Sequence, residues 1–309
     1  MGRQSSVAAV IFLLAVCTAQ ETTFRSDVKL VRVLATVRDE TGALVAGLDK
    51  DDFEITDNGA KQKIAVFERQ TAQPLAVTLM VDISASTAKD MPLEIQSLHR
   101  FIDELFREGN TGDLASLYSF NDDVSLLANF TRDKARLKTA LHRMKPEAGT
   151  SLYDALVLAA PALADRAGRR VMLVVTDGGD TTSKYTYQQA LRKAIESEIA
   201  IYSILIQPIK NDAGRNMGGE NALYSLAAST GGRVFLASVG ARLNDAFSGV
   251  LRALRSQYYL GFYPANVPLS KNPFHKLELR LTHPGLHAEA RNGYYGDTLT
   301  DARPGAAKP

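Results

Sequence analysis

The sequence predicts a doubly wound, mostly parallel α/β sheet inserted into a small antiparallel β-sandwich lobe. Three observations carry this. Over residues 74–257, strand-like and helix-like runs alternate, which is how a parallel sheet with crossover helices reads. Three of those runs, LAVTLMV (75–81), RRVMLVVTD (169–177) and IAIYSILIQ (199–207), are nearly continuously apolar, as strands covered on both faces are. The flanking segments 26–72 and 258–297 instead hold short runs with alternating apolar and polar side chains, separated by Gly, Pro and Asn. Neither flank has enough core to stand alone, so the two are expected to pair.

The elements follow in order. VKLVRVLATVRD reads as a half-buried strand, with Val28, Leu30, Val33, Ala35 and Val37 as its apolar positions. DFEITDNGAKQKIAVFERQ carries Asn58-Gly59 between two alternating runs, a hairpin signal. After the buried run at 75–81, residues 92–108 place Leu98, Phe101, Ile102, Leu105 and Phe106 at helical spacing. Runs 113–120 and 123–130 suit an antiparallel edge hairpin with its tip at Asn121, Asp122 and Asp123. Helices are expected over 133–144, 150–165, the run TYQQALRKAIESE, the run ENALYSLAAS and 241–257, and strands over 199–207 and 233–237. Three late strands are expected at 258–264, 276–284 and 287–297, then a disordered tail over 298–309.

Composition excludes several classes. The chain has 309 residues, 36 basic against 34 acidic, a net charge of +2 and 45% hydrophobic residues. This is ordinary globular composition, with no bulk electrostatic case for nucleic acid. The single cysteine, Cys17, excludes a disulfide framework and any cysteine-based metal centre.

Residues 1–19 read as a signal peptide: Arg3, then the apolar run VAAVIFLLAV, then small residues before a cut after Ala19. The run is too short to span a bilayer and no later run is longer, so the mature chain is expected to have no transmembrane segment. The expectation is export to the periplasm or the extracellular space. A lipid anchor on Cys17 is the alternative, against which Val16 stands where a lipobox takes a smaller residue.

The chemistry gathers at the carboxyl ends of the buried strands, where ligands bind in open α/β sheets. The run 75–81 leads into Asp82-Ile83-Ser84-Ala85-Ser86, a D-x-S-x-S sequence. It supplies one carboxylate and two hydroxyls, hard oxygen donors of the kind a hydrated divalent cation takes. Thr150 opens a helix after the turn EAG, and Asp177 ends the strand VMLVVT. Both fall on the same edge of the sheet.

These five residues, in this element order, resemble the von Willebrand factor A domain, whose metal-ion-dependent adhesion site is D-x-S-x-S, then a Thr, then an Asp. The resemblance covers about 74–257. It implies a Mg²⁺ site, with Mn²⁺ or Ca²⁺ as alternatives, formed by Asp82, Ser84, Ser86, Thr150 and Asp177. It implies that Ser84, Ser86 and Thr150 touch the metal directly or through water, while Asp82 and Asp177 often act through water. It also implies an open position for an Asp or Glu carboxylate of a partner protein. The flanking G-L-x-x-x-D-F-E-I-x-D-N-G, Y-Y-L-G-F-Y-P and R-N-G-Y-Y are similar to the related proteins common in Acidobacteria.

The expected function is therefore an exported, metal-dependent protein-binding module, not an enzyme. The alternatives are an envelope assembly component with an incidental metal, or a metal-dependent hydrolase. A phosphatase of the haloacid-dehalogenase type needs a second Asp where Ser84 stands. No G-x-S-x-G, Walker loop or H-E-x-x-H is present; the histidines are 99, 142, 275, 283 and 287. Among neighbouring acids, Asp180 reads as solvated and Asp154 as structural or supporting.

Overall fold

The computed structural model describes residues 29–69, 72–107, 109–207, 217–238, 240–268 and 270–296. The targeting segment expected over 1–19 and the tail over 298–309 lie outside the described residues. The chain opens with β1 (Val31–Arg38), a 3₁₀ turn (Lys50–Asp52), β2 (Phe53–Asp57), β3 (Ala60–Gln62) and β4 (Ile64–Glu68). There follow β5 (Leu75–Asp82), α1 (Met91–Arg107), β6 (Leu114–Phe120), β7 (Val124–Thr131), α2 (Lys134–Leu141), α3 (Leu152–Ala164) and β8 (Arg169–Thr176). Next are α4 (Tyr187–Glu196), β9 (Ile199–Ile206), α5 (Met217–Thr230), β10 (Val234–Ala237) and α6 (Ala241–Arg255). The last strands are β11 (Tyr258–Phe262), β12 (Phe274–Leu281), β13 (His287–Ala290) and β14 (Gly293–Tyr295).

The fold class is the expected one. A six-stranded sheet runs β10-β9-β8-β5-β6-β7, parallel except for the antiparallel edge strand β7. Every residue of β5 and of β9 is buried, because helices cover both faces. One core packs α1, α2 and α6 on one face, with Leu98, Phe101, Leu141 and Phe247 at its centre. The other packs α3, α4 and α5 on the opposite face, around Met80, Leu156, Met172 and Leu226. The chain leaves β5 toward β6 on one side, while β8 lies on the other. The gap between the carboxyl ends of β5 and β8 is the switch point of the sheet, where a ligand finds a natural crevice.

The β lobe is composite. Two four-stranded sheets, β13-β1-β11-β4 and β14-β12-β2-β3, mix strands from both ends of the chain. They enclose one core that includes Val33, Phe53, Ile55, Tyr258 and Leu277. The Asn58-Gly59 turn forms the expected hairpin, with Asp57 paired to Ala60 and φ of 46° and 83° at the two turn residues. Two details differ from the sequence reading. The buried positions of β1 are Val31, Val33, Ala35, Thr36 and Val37, so Leu30 is out of phase with the apolar face that forms, and Val28 lies outside the described residues. The run 287–297 is not one strand: β13 pairs with β1 and β14 with β12, in different sheets. The break falls at Arg291-Asn292, where backbone bonds to Thr230 and Ser229 at the end of α5 divert the chain.

The lobe meets the amino ends of the parallel strands, and Arg169 ties the junction. Buried at the start of β8, it donates from Nε to the Gln73 carbonyl (3.1 Å), and from a terminal nitrogen to the Leu254 carbonyl and to Gln257 Oε1 (3.3 Å). Its backbone N–H meets the Pro74 carbonyl at 2.9 Å. One side chain thus joins the points where the chain enters the α/β domain, before β5, and leaves it, after α6. Burial pulls its pKa down to about 10, so it stays a cation at neutral pH. Arg169→Met would keep the stem and leave these buried acceptors unpaired, each costing about 1–3 kcal/mol. Urea denaturation should therefore show a loss of about 3 kcal/mol; an unchanged midpoint would mean that the clamp is not needed.

Candidate functional site

Asp82 is the last residue of β5 and only 1% exposed. Its carboxylate is held by two donors. The Ser84 N–H reaches Oδ1 at 2.8 Å, and the Thr176 hydroxyl, at the end of β8, reaches Oδ2 at 2.5 Å. The loop then turns tightly, with the Thr87 hydroxyl donating to the Ser84 carbonyl at 2.9 Å, and winds into α1. That turn sets the Ser84 and Ser86 hydroxyls 3.0 Å apart. Ser84 is buried and Ser86 exposed, so the pair runs from floor to rim. The Ser86 side chain also bonds to the Asp177 carboxylate, which follows β8. Four of the five expected residues are thereby linked: Asp82, Ser84, Ser86 and Asp177.

Thr150 arrives differently. Its loop docks on the first one through the Glu147 N–H and the Ile83 carbonyl (3.0 Å), and on the β6–β7 tip through the Asp122 N–H and the Ala148 carbonyl (3.2 Å). Gly149, at φ +87°, lets the chain pass close to Asp122; a Cβ there would sit 3.0–3.1 Å from it. Thr150 is buried, and its backbone is clasped by Thr181, whose hydroxyl takes the Thr150 N–H at 2.9 Å and whose N–H reaches the Thr150 carbonyl at 2.8 Å. Among the described residues, no hydrogen bond joins the Thr150 hydroxyl to the other four side chains.

Neighbouring acids find definite places. Asp154 accepts the Tyr185 N–H at 2.8 Å, a structural role. Asp180 is not simply solvated. It accepts the Tyr153 N–H at 3.2 Å in the first turn of α3, and the Ser183 hydroxyl, so it satisfies a helix end from outside the helix. The tip at Asn121–Asp123 closes the hairpin, and Asn121 also holds the Thr150 loop, accepting the Ser151 N–H on its carbonyl at 2.6 Å.

Glu94 was not foreseen. It lies in the first turn of α1, only 2% exposed. The signal was present: Met91, Glu94, Leu98, Phe101 and Leu105 form the buried stripe of that helix, with a carboxyl where an apolar side chain is the rule. Burial, then the charges of Asp177, Asp82 and Asp90, push its pKa up to about 8. Burial, with a smaller push from Asp177, raises Asp82 to about 6 against the hydrogen bonds from Thr176 and Ser84. Burial also raises Asp177. No basic side chain is among the groups that set these shifts. The switch point therefore concentrates acids that no basic side chain among the described residues pulls back down.

Residues 77–179, which contain all five site residues, match the von Willebrand factor type A domain family. The chain carries a von Willebrand factor type A domain. The matched part runs from β5 to just past β8, and β9 to α6 complete the same sheet. Among solved structures, the A domain is similar to the conserved hypothetical protein BatB from Bacteroides thetaiotaomicron (20% identity, TM-score 0.47, 58% of this chain and 98% of that one). It is likewise similar to the vWF domain of the type V pili tip protein Mfa5 from Porphyromonas gingivalis (16% identity, TM-score 0.48, 60% and 96%). No curated protein matches the chain. Among the described residues, no group of three or more His, Cys, Asp or Glu is placed to hold a metal, and no helix is long and apolar enough to cross a membrane.

The raised carboxyls make the domain's stability depend on pH. A group whose folded pKa is raised stabilises fully below its unfolded value, and that contribution is lost as pH rises through the folded one. For Glu94 the window runs from 4.5 to about 8. The metal-free protein should lose stability across that window, and Glu94→Gln, neutral and of the same shape, should flatten the slope. Thermal midpoints measured in EDTA from pH 4 upward check it; an equal slope in the variant would contradict the assignment.

Proposed function

We propose that the chain is a metal-dependent protein-binding module, exported by its amino-terminal segment, whose A domain captures a carboxylate of a partner protein. The observation that carries this is the uncompensated acid at the switch point. Asp82 and Asp177 are buried enough to resist ionising, while the hydroxyls of Ser84 and Ser86 stand 3.0 Å apart beside them. A buried carboxylate is costly without a counter-charge, and hard oxygen donors with few carboxylates suit Mg²⁺. Asp82, Ser84, Ser86, Thr150 and Asp177 would hold the ion, with Mn²⁺ or Ca²⁺ as alternatives. When bound, the cation supplies a Lewis-acidic position to which an Asp or Glu of the partner can bind. Asp82, fixed by Thr176 and the Ser84 N–H, anchors the site from below. Ser86, at the exposed rim, orients Asp177. Because the hydroxyl donors are neutral and weak, the cation would stay Lewis-acidic enough to take the partner's carboxylate as a further ligand.

Calorimetric titration tests this. The full chain should bind one Mg²⁺ or Mn²⁺, more tightly as pH rises through about 6, where Asp82 gives up its proton. Thr150→Ala and Asp177→Asn should each weaken binding by about tenfold or more, the range seen when groups that support a metal site are removed. Crosslinked partners should be recovered from envelope extract with Mg²⁺ and lost with EDTA. Metal affinity unchanged in both variants would remove the site.

A further inference from the structure

A second site lies at the other end of the sheet. Where the β lobe meets the carboxyl end of α4, there is a cavity of about 470 Å³. That is within the size range of small-molecule sites. Three cationic side chains, Lys29, Arg32 and Arg291, line it. Arg32 and Arg291 also share a smaller adjoining cavity, and are near enough to repel one another. The Arg291 side chain is only 11% exposed. Among the described residues its one anionic contact is Glu198 at 3.5 Å, which also faces Arg170 at 4.0 Å, and its Nε–H is buried without a partner. Glu196, the other acid of the wall, is paired to Arg192 at 2.7 Å. Neither Lys29 nor Arg32 has an ion pair among the described residues. Two guanidiniums and an ammonium that line one cavity, with Glu198 already shared between Arg291 and Arg170, favour an anion between them.

The opposite wall is built for a donor. Asp57, fully buried, accepts His275 Nδ1–H at 3.0 Å and the Tyr294 hydroxyl at 2.6 Å. His275 also stacks on the Tyr294 ring, with centroids 4.7 Å apart. A ring held by a carboxylate through Nδ1 offers Nε2 as the acceptor. That nitrogen lies beside Gly296 on the cavity wall: a Cβ on Gly296 would come within 2.9 Å of it, so this glycine leaves the space in front of Nε2 open.

We propose that this cavity binds a small phosphate monoester bearing a free hydroxyl, with the phosphate between Arg32 and Arg291 and the hydroxyl donating to His275 Nε2. A dianion is matched by Arg32, Arg291 and Lys29, whose combined charge exceeds that of the half-engaged Glu198. The site is independent of the metal reading, because its residues lie at the opposite end of the strands from Asp82.

Ribose 5-phosphate, inorganic phosphate and ribose serve as probes, followed by amide chemical shifts of the full chain. Ribose 5-phosphate should perturb residues 29–32, 195–198 and 291–296, and bind more tightly than inorganic phosphate; ribose should not bind. Arg32→Gln, at an exposed position, should weaken ribose 5-phosphate by about tenfold or more, as loss of a charge-assisted pair does, without moving the thermal midpoint. Asp82→Ala should leave this affinity unchanged. No perturbation at millimolar ribose 5-phosphate, shifts elsewhere on the chain, or full affinity in Arg32→Gln would overturn the site. Equal affinity for inorganic phosphate would overturn the monoester assignment.

Discussion

The Arg169 guanidinium is the contact on which the two-part architecture rests. An inserted domain must bring its first and last elements to one place, and here both arrive at one buried cation. The Gln73 carbonyl lies before β5, the Leu254 carbonyl lies in the last turn of α6, and Gln257 leads into β11. Arginine suits the task because its planar fork donates in several directions and stays charged when buried. With that end closed, the loops at the carboxyl ends of β5 and β8 are left clear of the β lobe.

Those loops use the backbone to do what a charge pair does elsewhere. The Ser84 N–H and the Thr176 hydroxyl hold Asp82, while the Thr150 loop locks by main-chain bonds onto the first loop at Ile83, onto the β6–β7 tip at Asp122 and onto the loop after β8 at Thr181. The side chains are arranged in advance, while their electrostatics are left unresolved. Asp82, Glu94 and Asp177 all hold protons more firmly than free carboxyls do. Such a site is stable in acid and strained near neutrality, and it gains most from a cation where it is most strained. If the proposed cation binds there, binding and stability would be coupled through the same few atoms.

Much of this was legible in the sequence, for physical reasons. Continuous apolar runs mean strands covered on both sides, and they located β5, β8 and β9 and hence the ends where Asp82 and Asp177 sit. Asn58-Gly59 named its own turn. What escaped depended on tertiary neighbours. Residues 287–297 alternate like one strand, but contacts with the end of α5 at Ser229 and Thr230 cut it in two. Asp180 looks like a turn residue, and only its meeting with Tyr153 makes it a cap for α3. Glu94 broke the apolar stripe of α1 in plain view, but an isolated helix does not say which acids lie across the sheet from it. The junction cavity was not legible at all, since Arg32, His275 and Arg291 are far apart in the chain.

The composite lobe also decides how the molecule bears tension. Both β1 and β14 belong to it, so the first and last described strands lie at the end opposite Asp82. Pulling those two strands apart strains the lobe's own strand pairs and leaves the inserted sheet slack. A pull between the site and the lobe runs instead along the length of β5 and β8. Their ladders, paired residue by residue from Leu75 with Arg169 to Val81 with Val175, meet that force in shear, so the hydrogen bonds share the strain rather than parting one at a time. The same insertion that gathers β1 and β14 on one side thus makes the axis from Asp82 to the lobe the stiff direction of the molecule.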